Sequence, residues 1–171
     1  FKIDVKNASN AKVVVKIFVG TDMEVGGIPC GWQVDSKDGT PMREPAHPPI
    51  AKDKVRYVGE ILAVIIAESI EEAKNAAELI DVSFDEKPVV INMQDALDSS
   101  KGLVHDEIET NICYDWEIGD SEAVDTAISK AAHITTLDIR NNRLIPNAME
   151  TRAAIGDYEH ATGHYTLYTT S

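Results

Sequence analysis

Residues 51–86 most constrain the fold, because they read as a strand, a capped helix and a second strand with almost no connecting loop. Residues 61–67 (ILAVIIA) are the longest apolar run, and seven residues rich in β-branched types with little alternation predict a strand covered on both faces. Ser69 then offers an N-cap oxygen, and Glu72 stands three residues later, as a capping box requires. A second strand is predicted from Ile80 to Phe84. The apolar residues at helical spacing are Ile70, Ala73, Ala76, Ala77 and Ile80.

The composition is that of a soluble globular protein. Of the 171 residues, 43% are hydrophobic and 26% charged, enough for one large domain or two small ones. The net charge of −13 argues against nucleic acid as a partner, since a phosphate backbone needs a basic patch. Cys30 and Cys113 give no disulfide framework, which favours a reducing cytoplasm. No run approaches the roughly 18 apolar residues of a membrane span.

The two ends of the chain resemble internal sequence. Residues 1–7 (FKIDVKN) lack an initiator Met and open in a strand-like pattern, while residues 165–171 (YTLYTTS) stop within one. We therefore expect a fragment of a longer protein, whether natural or cut.

A long proline-rich loop separates the first predicted strand, residues 12–19, from the strand–helix–strand unit. Five prolines and several glycines within residues 21–54 exclude a helix or a central strand. Loops of this length in compact domains are usually functional or docked on a partner. Trp32, Met42 and Ile50 supply apolar anchors, so we expect the loop to be ordered.

The second half of the chain begins with a short predicted helix, Met93–Leu97. Residues 103–119 lack a period and predict a domain boundary. Asp120 then caps a helix whose apolar residues recur at i, i+3, i+4 and i+7, and Gly163 suits the positive φ of a hairpin turn. Strands are predicted at residues 133–139, 153–158 and 165–169.

The candidate chemical groups favour structural interpretations. His160 and His164 flank the hairpin turn and could approach each other, with Asp157 or Glu159 as a third metal ligand, but a solvated turn is the preferred interpretation. We interpret His105 and His133 as structural, since no G-x-S-x-G elbow supplies a nucleophile. For His47 packing is preferred, and a partner surface is the alternative.

The remaining groups likewise indicate no reaction. Cys30 lies in a loop and could be exposed and reactive, whereas Cys113 is expected to be buried, and neither makes a nucleophile. Glu150 and Arg152 suggest a structural ion pair, with a substrate role as the minority alternative. Taken alone, the residues predict a soluble α+β protein, with no residue assigned to catalysis, cofactor binding or metal binding.

Several motifs, in order, resemble one enzyme family. Residues 49–60 (PIAKDKVRYVGE), then 63–67 (AVIIA) and the Ala-rich helix, resemble the α/β-hammerhead segment of molybdenum hydroxylases, the large subunits of xanthine dehydrogenase, aldehyde oxidase and carbon monoxide dehydrogenase. Residues 103–106 (LVHD) and 142–147 (NRLIPN) are similar to the linker and the opening of the molybdopterin-binding domain. The carbon monoxide dehydrogenase type is the most similar variant, although METR at 149–152 replaces the usual M-E-P-R.

The resemblance implies a domain order and a division of labour. It implies a hammerhead domain at residues 1–103, a linker at 104–119 and a truncated molybdopterin-binding domain at 120–171. A glutamine near the molybdenum, a glycine-rich cofactor loop and the catalytic glutamate of the family would all follow Ser171. Residues 1–171 would then be scaffold, without bound molybdenum.

The resemblance also implies an activity for the intact protein. It would hydroxylate an aldehyde, a heterocycle or carbon monoxide, with water as the oxygen source and a molybdenum–pterin cofactor. Electrons would leave through iron–sulfur clusters and FAD on partner subunits or domains, and the complex would be a homo-oligomer. Two alternatives stay open: a stand-alone binding or assembly module of the same fold, and a small metal-binding protein using His160 and His164.

Overall fold

The computed structural model describes residues 1–142, 144–145 and 147–170, which fall into two compact units. The first unit runs from Phe1 to Gly119 and the second begins at Asp120. The first unit contains β1 (Lys2–Asp4), α1 (Lys6–Ser9), β2 (Val14–Val19), β3 (Ala63–Ala67), α2 (Ile70–Ala77), β4 (Asp81–Ser83) and α3 (Met93–Ala96), with 3-10 turns at Gly20–Asp22 and Ser99–Lys101.

Two small antiparallel sheets organise the first unit. Strand β2 pairs with β3, and β1 pairs with β4. The two strands on either side of α2 in the sequence therefore belong to different sheets. The helix thereby connects one sheet to the other.

The core of the first unit is small and built on alanines. Ala8 of α1, Ile17 of β2 and Ala76 of α2 form one buried cluster, and Ile65 of β3 packs against it. Because alanine adds only a methyl group, both helices can approach β2 closely. The predicted helix and both predicted strands of residues 51–86 are confirmed, each shorter than expected.

The prediction that the apolar strand is covered on both faces is wrong. Along β3 the exposure alternates: Ala63 and Ile65 face the core, whereas Val64 and Ile66 are 42% and 44% exposed. The alternation arises because the α2 layer covers one face of a two-stranded sheet, and a strand's side chains point to opposite faces.

The predicted N-cap of α2 is confirmed. The Ser69 hydroxyl oxygen accepts the Glu72 backbone N–H at 3.3 Å. The same hydroxyl donates to Glu72 Oε2 at 3.2 Å, so the two side chains bond to each other. The cap fixes where β3 ends and the helix begins.

The second unit consists of a capped helix and a hairpin. Helix α4 (Ser121–Ser129) starts where predicted, with Asp120 Oδ1 accepting the Ala123 N–H at 2.9 Å. Strands β5 (Ala154–Glu159) and β6 (His164–Thr169) pair antiparallel, and Gly163 at the turn has φ +71°, as predicted. The strand predicted at residues 133–139 is wrong: that stretch pairs with no described residue, and a strand forms only when it has a partner.

The surface is unusually large for the mass. The chain exposes 14,697 Å². Two separate globules of the size of these units would together expose about 9,800 Å² by the scaling of area with mass. Large apolar side chains are among the exposed ones: Ile155, Leu167 and Tyr165 of the hairpin are each more than 65% exposed. No helix in the described ranges is long and apolar enough to cross a bilayer.

Candidate functional site

The first unit contains a cleft of about 590 Å³, within the size range of binding pockets. Its walls come from the proline-rich loop, from residues 56–60 and from residues 104–113. The apolar part of the lining includes Ile28, Pro29, Met42, Pro45, Pro48 and Val104.

The loop is held in shape by a close crossing of two backbone segments. The Ile28 N–H donates to the His47 carbonyl at 2.8 Å. A Cβ on the neighbouring Gly27 would lie 2.7 Å from the His47 nitrogen, so only glycine fits this crossing without a shift. Further along, the Met42 N–H donates to the Val34 carbonyl at 3.1 Å. The long loop is therefore folded on itself.

The predicted anchors of the loop divide into three outcomes. Ile50 is buried at 4% exposure, which confirms its prediction, and Met42 is half-buried. Trp32 is 79% exposed, so its prediction as an anchor is wrong. The loop is fixed at the Gly27–His47 crossing and at Ile50, whereas Trp32 lies in the stretch between Gly27 and His47 and is exposed.

Residues 112–117 pack along the loop through backbone bonds. The Arg43 N–H donates to the Cys113 carbonyl at 2.9 Å, and the Lys37 N–H donates to the Asp115 carbonyl at 2.7 Å. The Lys37 ammonium also lies 3.0 Å from Asp115 Oδ2. Its hydrogen bond to Asp115 raises the pKa of Lys37 above the ordinary value. Residues 112–117 thus belong to the first compact unit.

A second connection joins residue 106 to residue 54. Lys54 Nζ lies 3.2 Å from Asp106 Oδ1 and 3.1 Å from Oδ2. Glu60 Oε2 accepts the Arg56 N–H at 2.6 Å and closes the turn between them. These bonds position one wall of the cleft.

Two charged residues of the cleft, Glu44 and Arg56, differ in how fully their side chains are hydrogen-bonded. Glu44 accepts the Cys30 N–H and, at 2.7 Å, a hydrogen from Gln33 Nε2. The Cys30 bond, with Gln33 second, lowers the pKa of Glu44 below its ordinary value. Arg56 by contrast donates only a long bond of 3.4 Å from Nη1 to the Lys54 carbonyl, and its Nε is buried without a partner among the described residues.

Both cysteines line this cleft. Cys30 is exposed. The prediction that Cys113 is buried is wrong: it is exposed, and its Sγ donates to the Arg43 carbonyl at 3.1 Å. The reason is that residue 113 belongs to an extended segment lying along the edge of the loop.

Two histidines also line the cleft. His47 Nε2 lies 3.1 Å from the Tyr57 hydroxyl, and His105 Nδ1 lies 3.4 Å from Glu107 Oε1, with the His105 side chain 25% exposed. Sequence reasoning treated the two histidines and the two cysteines separately, because they come from distant segments that no spacing rule links. Only the length and proline content of the loop signalled that it could form a site.

The second unit does not bring its candidate residues together as a site. His160 stacks edge-on against Tyr158 with ring centroids 4.8 Å apart, on an exposed turn. Glu150 and Arg152 are exposed, and no ion pair between them occurs in the described part of the chain, so the predicted pair is wrong. Across all described residues, no three His, Cys, Asp or Glu side chains are placed to hold a metal ion.

Comparison with known proteins identifies two successive domains. The model of the "aldehyde oxidase and xanthine dehydrogenase, a/b hammerhead domain" matches residues 1–88, just over half of the chain. The chain belongs to the aldehyde oxidase and xanthine dehydrogenase family. The model of the "molybdopterin cofactor-binding domain" matches residues 104–171 of this family member. The resemblance and the α+β fold predicted from the sequence are confirmed.

Individual relatives agree with the family assignment. The chain is 28% identical over 159 residues to the nicotine 6-hydroxylase large subunit of Paenarthrobacter nicotinovorans, covering 92% of this chain and 19% of that protein. It is 25% identical over 133 residues to the carbon monoxide dehydrogenase large chain of Afipia carboxidovorans, covering 71% of this chain and 16% of that protein. The chain thus spans about a fifth or less of the length of these relatives.

Solved structures show the same fold. Quinoline 2-oxidoreductase from Pseudomonas putida 86 matches with a TM-score of 0.80 and 26% identity, covering 98% of this chain and 21% of that one. The Cu,Mo-CO dehydrogenase matches with a TM-score of 0.78 at 21% identity, which is a likeness of fold alone.

Proposed function

We propose that these residues are a fragment of the molybdenum-binding large subunit of an oxidoreductase. The intact protein would hydroxylate an aldehyde, a heterocycle or carbon monoxide in the cytoplasm, with water as the oxygen source. The observation that carries the proposal is the order of the two family matches, hammerhead first and cofactor-binding domain second. Relatives named for nicotine, quinoline and carbon monoxide support this range of substrates.

We further propose that residues 1–171 are scaffold, divided into a hammerhead domain (1–103), a linker (104–119) and part of the cofactor domain (120–171). The large apolar surface supports this role, since such a surface is normally covered by other protein. Polar groups in and near the cleft support it too, because Glu44 and Glu60 of the cleft and Lys54 beside it hold loops in place.

Among the described residues, no three His, Cys, Asp or Glu side chains are placed to hold a metal ion. We therefore assign no catalytic step to them. In this proposal the molybdenum–pterin cofactor is held by the rest of the large subunit, and iron–sulfur clusters and FAD belong to partner subunits or domains.

Metal analysis of two preparations tests the proposal. The protein purified as it is made should contain molybdenum and pterin and should reduce an electron-accepting dye with an aldehyde, a heterocycle or carbon monoxide. The isolated 171 residues should contain no molybdenum. A stoichiometric molybdenum–pterin on the isolated residues would overturn the scaffold role, and a molybdenum-free, inactive intact protein would overturn the enzyme.

The alternative is a stand-alone binding or assembly module of the same fold. The coding sequence beyond Ser171 separates the two. A glutamine followed by a glycine-rich loop supports the enzyme, whereas a stop codon supports the module.

A further inference from the structure

We draw no further inference here: the strongest candidate, the exposed apolar face that Tyr158, Tyr165 and Leu167 form on the β5–β6 hairpin, carries nothing because no observation in the structure shows what covers it.

Discussion

Gly27 and Gly26 are neighbours with opposite surroundings, and together they test how the cleft wall is built. A Cβ at Gly27 would lie 2.7 Å from the His47 nitrogen and 3.3 Å from the Ala46 Cα, both backbone atoms. A Cβ at Gly26 would have nothing within 4 Å. Gly27→Ala must therefore push two backbone segments apart, whereas Gly26→Ala adds a methyl group in open space.

The expected magnitude follows from the cost of overpacking, about 1–3 kcal/mol. The two segments of the crossing are joined by the hydrogen bond from the Ile28 N–H to the His47 carbonyl at 2.8 Å. The loss of stability is therefore measured as faster hydrogen exchange of the Ile28 amide. If the crossing opens locally, hydrogen exchange of the Ile28 amide should become about 5- to 150-fold faster in Gly27→Ala. In Gly26→Ala it should stay within about twofold, as for most surface substitutions.

The assay is amide hydrogen exchange read by mass spectrometry on peptides that cover residues 24–30 and, as an internal reference, β2. Exchange in β2 should be equal in the two variants. Equal exchange of the Ile28 amide in Gly27→Ala and Gly26→Ala would refute the claim that the close crossing holds the wall together.

Three further predictions concern single contacts. Ser69→Ala removes the cap on Glu72 and should lower the free energy of unfolding by about 1 kcal/mol, measured by urea titration; no change would contradict the capping role. Glu44 has a depressed pKa, so its bond to Cys30 stabilises above the unfolded-state pKa and is lost as pH falls through the folded-state value. The thermal midpoint difference between wild type and Glu44→Gln should thus shrink below the ordinary pKa of 4.5, and a constant difference would refute this. Gly163→Ala places a Cβ at φ +71° and should cost about 1–2 kcal/mol, unlike Gly156→Ala in β5.

Local chemistry was the part of the fold that the sequence predicted well. Ser69 and Glu72 lie three residues apart, and the positive φ at Gly163 depends on that residue alone. Each feature is therefore determined by a few neighbouring residues. The strand predicted at residues 133–139 failed because a strand needs a partner strand, and no described residue pairs with this stretch.

The cleft was beyond sequence reasoning because distant segments build it. Cys113 bonds to Arg43 across 70 positions, and no spacing rule links them. Trp32 shows the opposite error: its size suggested burial, but the anchoring contacts lie elsewhere in the loop. The family, by contrast, was identified from several sequence motifs in a fixed order, and recognising them requires no knowledge of tertiary contacts.

Each of the three sheets in the described ranges has only two strands, so every strand leaves one edge of backbone N–H and C=O groups without a strand beside it. Such edges are templates for adding a further strand, and an uncovered edge beside apolar side chains promotes aggregation. Chains that are synthesised faster than other parts of the protein can cover these strand edges would therefore associate edge to edge. Yield of the intact protein should then depend on slow synthesis, with the six-residue strands of the β5–β6 hairpin as the most vulnerable point.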